Sequence, residues 1–260
     1  MSVKFPEIEI HGKQVHAKDY IEKGTGAAVF GASLVAVLGS LLGILLTYGI
    51  GLIVLLFYPL FTSHIRKKAL ATIHGSGIAV TEQQFPEIQK CMLTFKERLQ
   101  IKKDISIYIV EANVLNALAV KYGKKNVILL TDDLIHGCLA SDNPSALSFV
   151  IGHELGHIAL NHNGVFRSWM AQHLRKLGRL DEYSADSVAT ALVQDKAIAY
   201  TGLLLLTVGY ALLPYVNPES IVLQAQEVAK NKYSKKAETT MTHPLLLNRL
   251  HRVLQKQETV

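Results

Sequence analysis

Hydrophobic and polar positions divide this chain into unlike stretches. From Ala27 to Phe61 there is no charged residue in 35 positions. A core helix of a globular domain does not run that long, so the stretch predicts membrane. One helix of that length would measure about 52 Å, against about 30 Å of hydrocarbon. Two spans would have roughly 17 residues each, the lower limit for crossing. Gly39-Ser40, Gly43 and Tyr48-Gly49-Ile50-Gly51 offer places to turn or to pack closely. A tight hairpin is therefore favoured over one steeply tilted helix. A signal peptide is not expected, because the apolar core is too long and residues 1–26 carry mixed charges. Ala197 to Val216 is a second uncharged run of about span length. Gly202, Gly209 and Pro214 interrupt it, so a buried core helix with at most one face in lipid is expected.

Shorter patterns lie between these runs. Ile105 to Val110 alternates and is β-branched, which predicts a strand. Leu118–Lys121 and Asn126–Leu130 flank Tyr122-Gly123-Lys124-Lys125, a hairpin turn. A strand edge near Asn116 and Ala117 can accept an extended peptide by backbone pairing, or be plain sheet. Asp142-Asn143-Pro144 predicts a helix start. Ala146, Leu147, Val150, Ile151, Ile158 and Leu160 give that helix an apolar face. Phe166 to Leu180 predicts one basic amphipathic helix. It either lies on anionic lipid, with the only Trp at the interface, or packs its apolar side on the core.

The helix over 146–160 carries the candidate chemistry. His153-Glu154-Leu155-Gly156-His157 fits H-E-x-x-H. Positions i and i+4 share a helix face, so both imidazoles can bind one Zn²⁺ at about 2.0–2.1 Å. Glu154 stands beside them, placed to take a proton from zinc-bound water. With eleven histidines in the chain a chance H-x-x-x-H pair is ordinary. Glu in second place, on an apolar face where an unanswered charge is costly, is not.

A catalytic zinc needs a third protein ligand. The metzincin register would put it at 163, which is Asn163, and His162 is one residue out of register. The better candidate lies in Asp181-Glu182-Tyr183-Ser184-Ala185-Asp186. Glu182 and Asp186 share a helix face, and Ser184, Ala185 and Ala189 allow close approach to the motif helix. Glu182 is the expected ligand, and Asp186 the expected acceptor from a ligand imidazole. A structural zinc closed by His162 is the competing metal reading. A catalytically silent membrane scaffold is the competing class.

These motifs resemble the HtpX-like and CAAX-prenyl-protease-like membrane zinc metallopeptidases. The resemblance rests on HELGH at 153–157 and E-x-x-x-D at 182–186. Thr242-His243-Pro244 followed by Arg249 is similar to the family's C-terminal element. Leu115-Asn116-Ala117-Leu118-Ala119 and Val127-Ile128-Leu129-Leu130-Thr131 look like its Asn-Ala segment and following strand. Together they span roughly residues 80–255. The resemblance implies one Zn²⁺ on His153, His157 and Glu182, with Glu154 as base. It implies that His243 and Arg249 stabilise the oxyanion or anchor the site. One departure matters: HtpX has hydrophobic spans between its motif and its Glu ligand. Here 24 residues separate His157 from Glu182, and they include Arg167, Arg175, Lys176 and Arg179. The topology of HtpX is therefore not carried over.

Composition changes the picture only slightly. Charged residues make up 18%, a low share explained by the charge-free run, and the net charge of +6 fits membrane proximity. No basic cluster accompanies a nucleic-acid motif, so no nucleic-acid partner is expected. Two isolated cysteines suit a reducing compartment. Arg66-Lys67-Lys68 follows the apolar run, which predicts that flank to be cytosolic. The expectation is a mainly α, zincin-like domain with a small β-sheet, plus an N-terminal transmembrane hairpin or helix. Residues 1–26 would be a tail, 27–61 the membrane segment and 62–260 the metallopeptidase domain. Its partners would be a protein or peptide substrate and the lipid bilayer.

Overall fold

A computed structural model describes residues 5–10, 12–112, 116–141 and 143–256. Two long apolar helices come first, α1 (Thr25–Leu46) and α2 (Ile50–Ser76). The residues between them include Tyr48 and Gly49, both at positive φ, 50° and 89°, and this left-handed pair reverses the chain. Both helices are long and apolar enough to cross a membrane. Their apolar side chains from Phe30 to Phe61 are largely exposed. α2 does not stop where the apolar run stops. It continues through Lys67 and Lys68 to Ser76, about 22 Å further, because no Gly or Pro intervenes until Gly75.

The remaining elements are β1 (Ile78–Ala79), α3 (Pro86–Arg98), β2 (Ile105–Val110), β3 (Ala117–Tyr122), β4 (Lys125–Thr131), α4 (Asp132–Ala140), α5 (Ala146–Ala159), α6 (Val165–His173), α7 (Arg175–Val193), α8 (Lys196–Val208), α9 (Pro218–Lys230), α10 (Lys232–Glu238) and α11 (Leu246–Lys256). The fold is mostly helical with one small sheet. Strand order is β1-β2-β4-β3, so β3 is an edge. β2 and β4 run parallel. β3 returns on β4 through the two residues Gly123 and Lys124, with Gly123 at φ 61°. Alternation in β2 puts Ile107 and Ile109 into the core, while central β4 buries Val127, Ile128 and Leu130. Thr131 ends the sheet, and its hydroxyl accepts from Leu134 N to cap α4.

α5 runs through the middle of the domain and packs most closely on α7. Glycines set that distance. A Cβ on Gly152 would lie 3.3 Å from Ala189 Cα, and one on Gly156 would lie 3.2 Å from Ala185 Cα. α8 buries Ile198, Ala199, Leu203, Leu204 and Leu205 against α5 and α11. At 13 residues it is about 20 Å long, too short to span. The expected core helix is thus present, and it ends at Gly209 with φ 73°.

Three expectations need correction. α5 begins at Ala146, with Ser145 as its cap position and no side-chain capping bond. Ser145 Oγ instead accepts from Glu9 N, and Asp142 lies outside the described residues, as does Leu115. The single helix over 166–180 is two, α6 and α7, broken at Leu174 with ψ 83°. The break lets Met170 and Leu177 both face α1. The basic residues of this stretch also have partners within the protein. Arg167 pairs with buried Asp181, and Arg175 and Arg179 donate to carbonyls of Thr240, Glu238 and Met241.

The segment before α1 is held on the domain. Ile8 and Val15 are core residues, Glu22 N donates to Ser184 Oγ, and Arg252 pairs with Glu22 at 3.0 Å. Ala28 and Ala32 then seat the first turns of α1 on Met170 and Leu177.

Candidate active site

α5 supplies His153, Glu154 and His157 to the floor of a cleft of about 510 Å³. α7 supplies Asp181, Glu182 and Asp186, all buried. The glycine contacts between the two helices bring Glu182 to both imidazoles. Its Oε2 is 3.6 Å from His153 Nε2, and its Oε1 is 3.4 Å from His157 Nε2. The two Nε2 atoms are 3.0 Å apart. Donor atoms about 2.0–2.1 Å from a tetrahedral centre stand about 3.3 Å from one another, so these three fit one zinc-sized cation. All three donor atoms lie within 4.8 Å of one another.

The far side of each imidazole is also engaged. Asp186 Oδ1 accepts from His153 Nδ1 at 2.9 Å, which leaves the Nε2 lone pair facing Glu182. Arg249 of α11 donates through Nε and Nη2 to Asp186 at 2.8 and 2.7 Å, and its Nη1 is 3.3 Å from Glu182. Burial pushes the Asp186 carboxyl up, but the Arg249 charge and hydrogen bonds outweigh it and hold the group down at about 2. Glu182 also ends well below the usual carboxylate range. Burial opposes this, and bonds from His157 and His243 with the Arg249 charge overcome it.

His157 has a different neighbour behind it. Its Nδ1 is 3.1 Å from His162 Nδ1, and His162 Nε2 is 3.4 Å from Asp181 Oδ1. Asp181 in turn takes both Arg167 donors. Burial, with His157 and Arg167 close by, depresses the His162 imidazole to about 2, so it is neutral. Among the described residues His162 is thus an intermediary between His157 and Asp181. The His157–His162–Asp181–Arg167 chain escaped sequence reasoning. Nothing linear ties Arg167 to Asp181, and His162 is legible only as a spare ligand. Asn163 lies in the cleft wall and donates to Asn126 Oδ1 at 3.1 Å.

His243 comes from the loop between α10 and α11. Its Nδ1 is 3.2 Å from Glu182 Oε1, and 68% of its side chain is exposed to the cleft. The loop is strapped to α7 by Arg175 and Arg179. Gly178 lets Thr242 close in, since a Cβ there would meet Thr242 O at 2.8 Å. Buried Glu238 accepts from Leu245 N at 2.9 Å and from Asn248, fixing the turn into α11. Asn116, Ala117, Leu118 and Ala119, at the start of edge strand β3, form the opposite wall.

Two family models match this region. Peptidase family M48 matches residues 82–171 and Peptidase U49 matches residues 143–259, so they overlap on the stretch holding HELGH. Together the two matches span residues 82–259 and support an M48-like family. M48 is the HtpX/CAAX protease family of zinc metallopeptidases. No curated protein and no solved structure matches the chain. The two matches take in the His-His-Glu group between them, and the M48 match supports a metallopeptidase.

Proposed function

We propose that this protein is a membrane-anchored, zinc-dependent endopeptidase. The observation that carries the reading is the convergence of His153 Nε2, His157 Nε2 and Glu182 on one point. Two imidazole nitrogens and a carboxylate gathered within 3.0–3.6 Å of one another in a buried site call for a cation to share. His153, His157 and Glu182 would hold one Zn²⁺ per chain. When bound, the zinc supplies a lowered pKa for its water and polarises the scissile carbonyl.

The chain's own residues do the rest. Glu154, on the cleft floor beside both histidines, takes the proton of the attacking water and delivers it to the leaving amine. Asp186 fixes the tautomer of His153, and Arg249 holds Asp186 and Glu182 in place behind the ligands. Arg249 is thereby an anchor, whereas exposed His243 faces the substrate and donates to the developing oxyanion. The β3 edge at Asn116 and Ala117 pairs with an extended substrate backbone. α1 and α2 cross the bilayer as a hairpin. Lys67 and Lys68, on the helical extension of α2, keep the domain cytosolic.

The test is hydrolysis of a membrane-protein substrate by the purified full-length chain. Cleavage should stop with a zinc chelator, return with Zn²⁺, and be missing in Glu154→Gln. Cleavage that survives both treatments would exclude the reading, and a wild type that binds zinc but cleaves nothing would favour a scaffold.

A further inference from the structure

α6 has three different sides. Arg167 and Met170 turn inward, to Asp181 and to the α1 contact. Ser168, Ala171 and Gln172 line the cleft. Val165, Phe166 and Trp169 point out, 41%, 56% and 38% exposed. Phe166 and Trp169 stack with ring centroids 6.1 Å apart, and Trp169 packs on His173 at 4.5 Å. In an aqueous domain this is a costly place for two large aromatics.

Its location explains the cost. Met170 and Leu177 hold Ala28 and Ala32, the point where α1 leaves the domain. Ser33 Oγ bonds Met170 Sδ at 3.6 Å, which fixes α6 against the third turn of α1. Beyond that turn α1 is apolar and exposed, so its surroundings change from protein to lipid there. Aromatic rings with an apolar body and a polar edge concentrate at that depth. Lys176 lies exposed in the first turn of α7, just past the break that ends α6, and can meet anionic headgroups.

We propose that α6 is a membrane-seated lip of the active-site cleft, with Phe166 and Trp169 inserted at headgroup level of the bilayer that α1 and α2 cross. The cleft wall and the lipid contact are then two sides of one helix. Substrate enters along the membrane surface, and the favoured peptides are segments that emerge from the same bilayer. This rests on reading α1 and α2 as spans.

Trp169 is the only tryptophan in the chain, so it reports alone. The full-length protein is reconstituted into vesicles of phosphatidylcholine and phosphatidylglycerol, with bromines placed either near the glycerol end or at the chain ends of the lipids. Trp169 emission should be blue-shifted, quenched strongly by the shallow bromines and weakly by the deep ones, and shielded from aqueous iodide. Phe166→Asp should return iodide quenching and lose bromolipid quenching. Iodide quenching of wild type without bromolipid quenching would overturn the lip. So would a blue shift that appears only at high protein-to-lipid ratio, which would assign the patch to a second copy. Flotation of the same sample separates the premises. Protein that does not float with vesicles overturns the spans themselves, whereas protein that floats with Trp169 in water overturns only the lip.

Discussion

α5–α7 and α1–α2 are both pairs of neighbouring helices, yet they solve opposite problems. In α5–α7 the contact is made by Gly152, Gly156, Ala185 and Ala189, and polar groups are buried beside it. Three of the buried carboxylates there have an arginine partner: Asp186 and Glu182 with Arg249, and Asp181 with Arg167. In α1–α2 the apolar side chains between Phe30 and Phe61 face outward on nearly all sides. The first pair is held by groups that match one another within the protein. The second leaves its match to the surroundings. A glycine or a charge therefore means different things in the two pairs.

The largest effect expected from this difference is at Arg249. Arg249→Met leaves Asp186 and Glu182 as buried carboxylates without their cation. Loss of one partner of a buried ion pair costs about 3–5 kcal/mol, read by denaturant unfolding of the domain. A cost under about 1 kcal/mol, the range of an exposed pair, would mean that the buried network does not hold the helices together.

A paired glycine experiment sharpens the contrast, because the signs differ. Gly156→Ala pushes a methyl into Ala185 and Val188 and should destabilise by about 1–3 kcal/mol, with weakened zinc binding. Gly39→Ala in α1 meets nothing within 4 Å, and removing a helix-interior glycine there should be neutral or stabilising by up to about 1 kcal/mol. Thermal unfolding in one detergent reads both, and equal penalties would dissolve the distinction.

Much of this was legible in the sequence, for a physical reason. Motifs whose residues sit one helical turn apart announce their shared face, as His153 with His157 and Glu182 with Asp186 do. Alternation in 105–110 and the Gly123 turn likewise depend only on neighbours, and Gly209 and Pro214 shortened the second apolar run. Contacts between distant segments left no such mark. The break at Leu174 serves α1, more than a hundred residues earlier. Gly178 is open because Thr242 must pass it. Ser145 is spent on Glu9 rather than on its own helix, and Glu22 is claimed by Ser184 and Arg252. The domain boundary at 61 followed charge, whereas helix α2 followed backbone propensity and ran on to Ser76.

A smaller effect is expected behind His157. His162→Leu removes the neighbour of its Nδ1, and zinc affinity should fall about 10–100-fold, the usual loss for a group that orients a metal-bound imidazole. His162→Asn keeps an acceptor at the Nδ1 position and should recover part of it. Metal competition titrations measure both, and unchanged affinity in His162→Leu would make His162 mere packing.

The central claim is that the α5–α7 contact exists to hold one zinc beside Glu154. Zinc content of the purified full-length protein tests it most directly, in wild type, Glu154→Gln, His153→Ala and Glu182→Ala. Wild type and Glu154→Gln should each carry one zinc per chain, with hydrolysis lost only in the second. His153→Ala should carry none and Glu182→Ala little. A Glu154→Gln protein stripped of zinc beside a His153→Ala protein that keeps it would contradict the account.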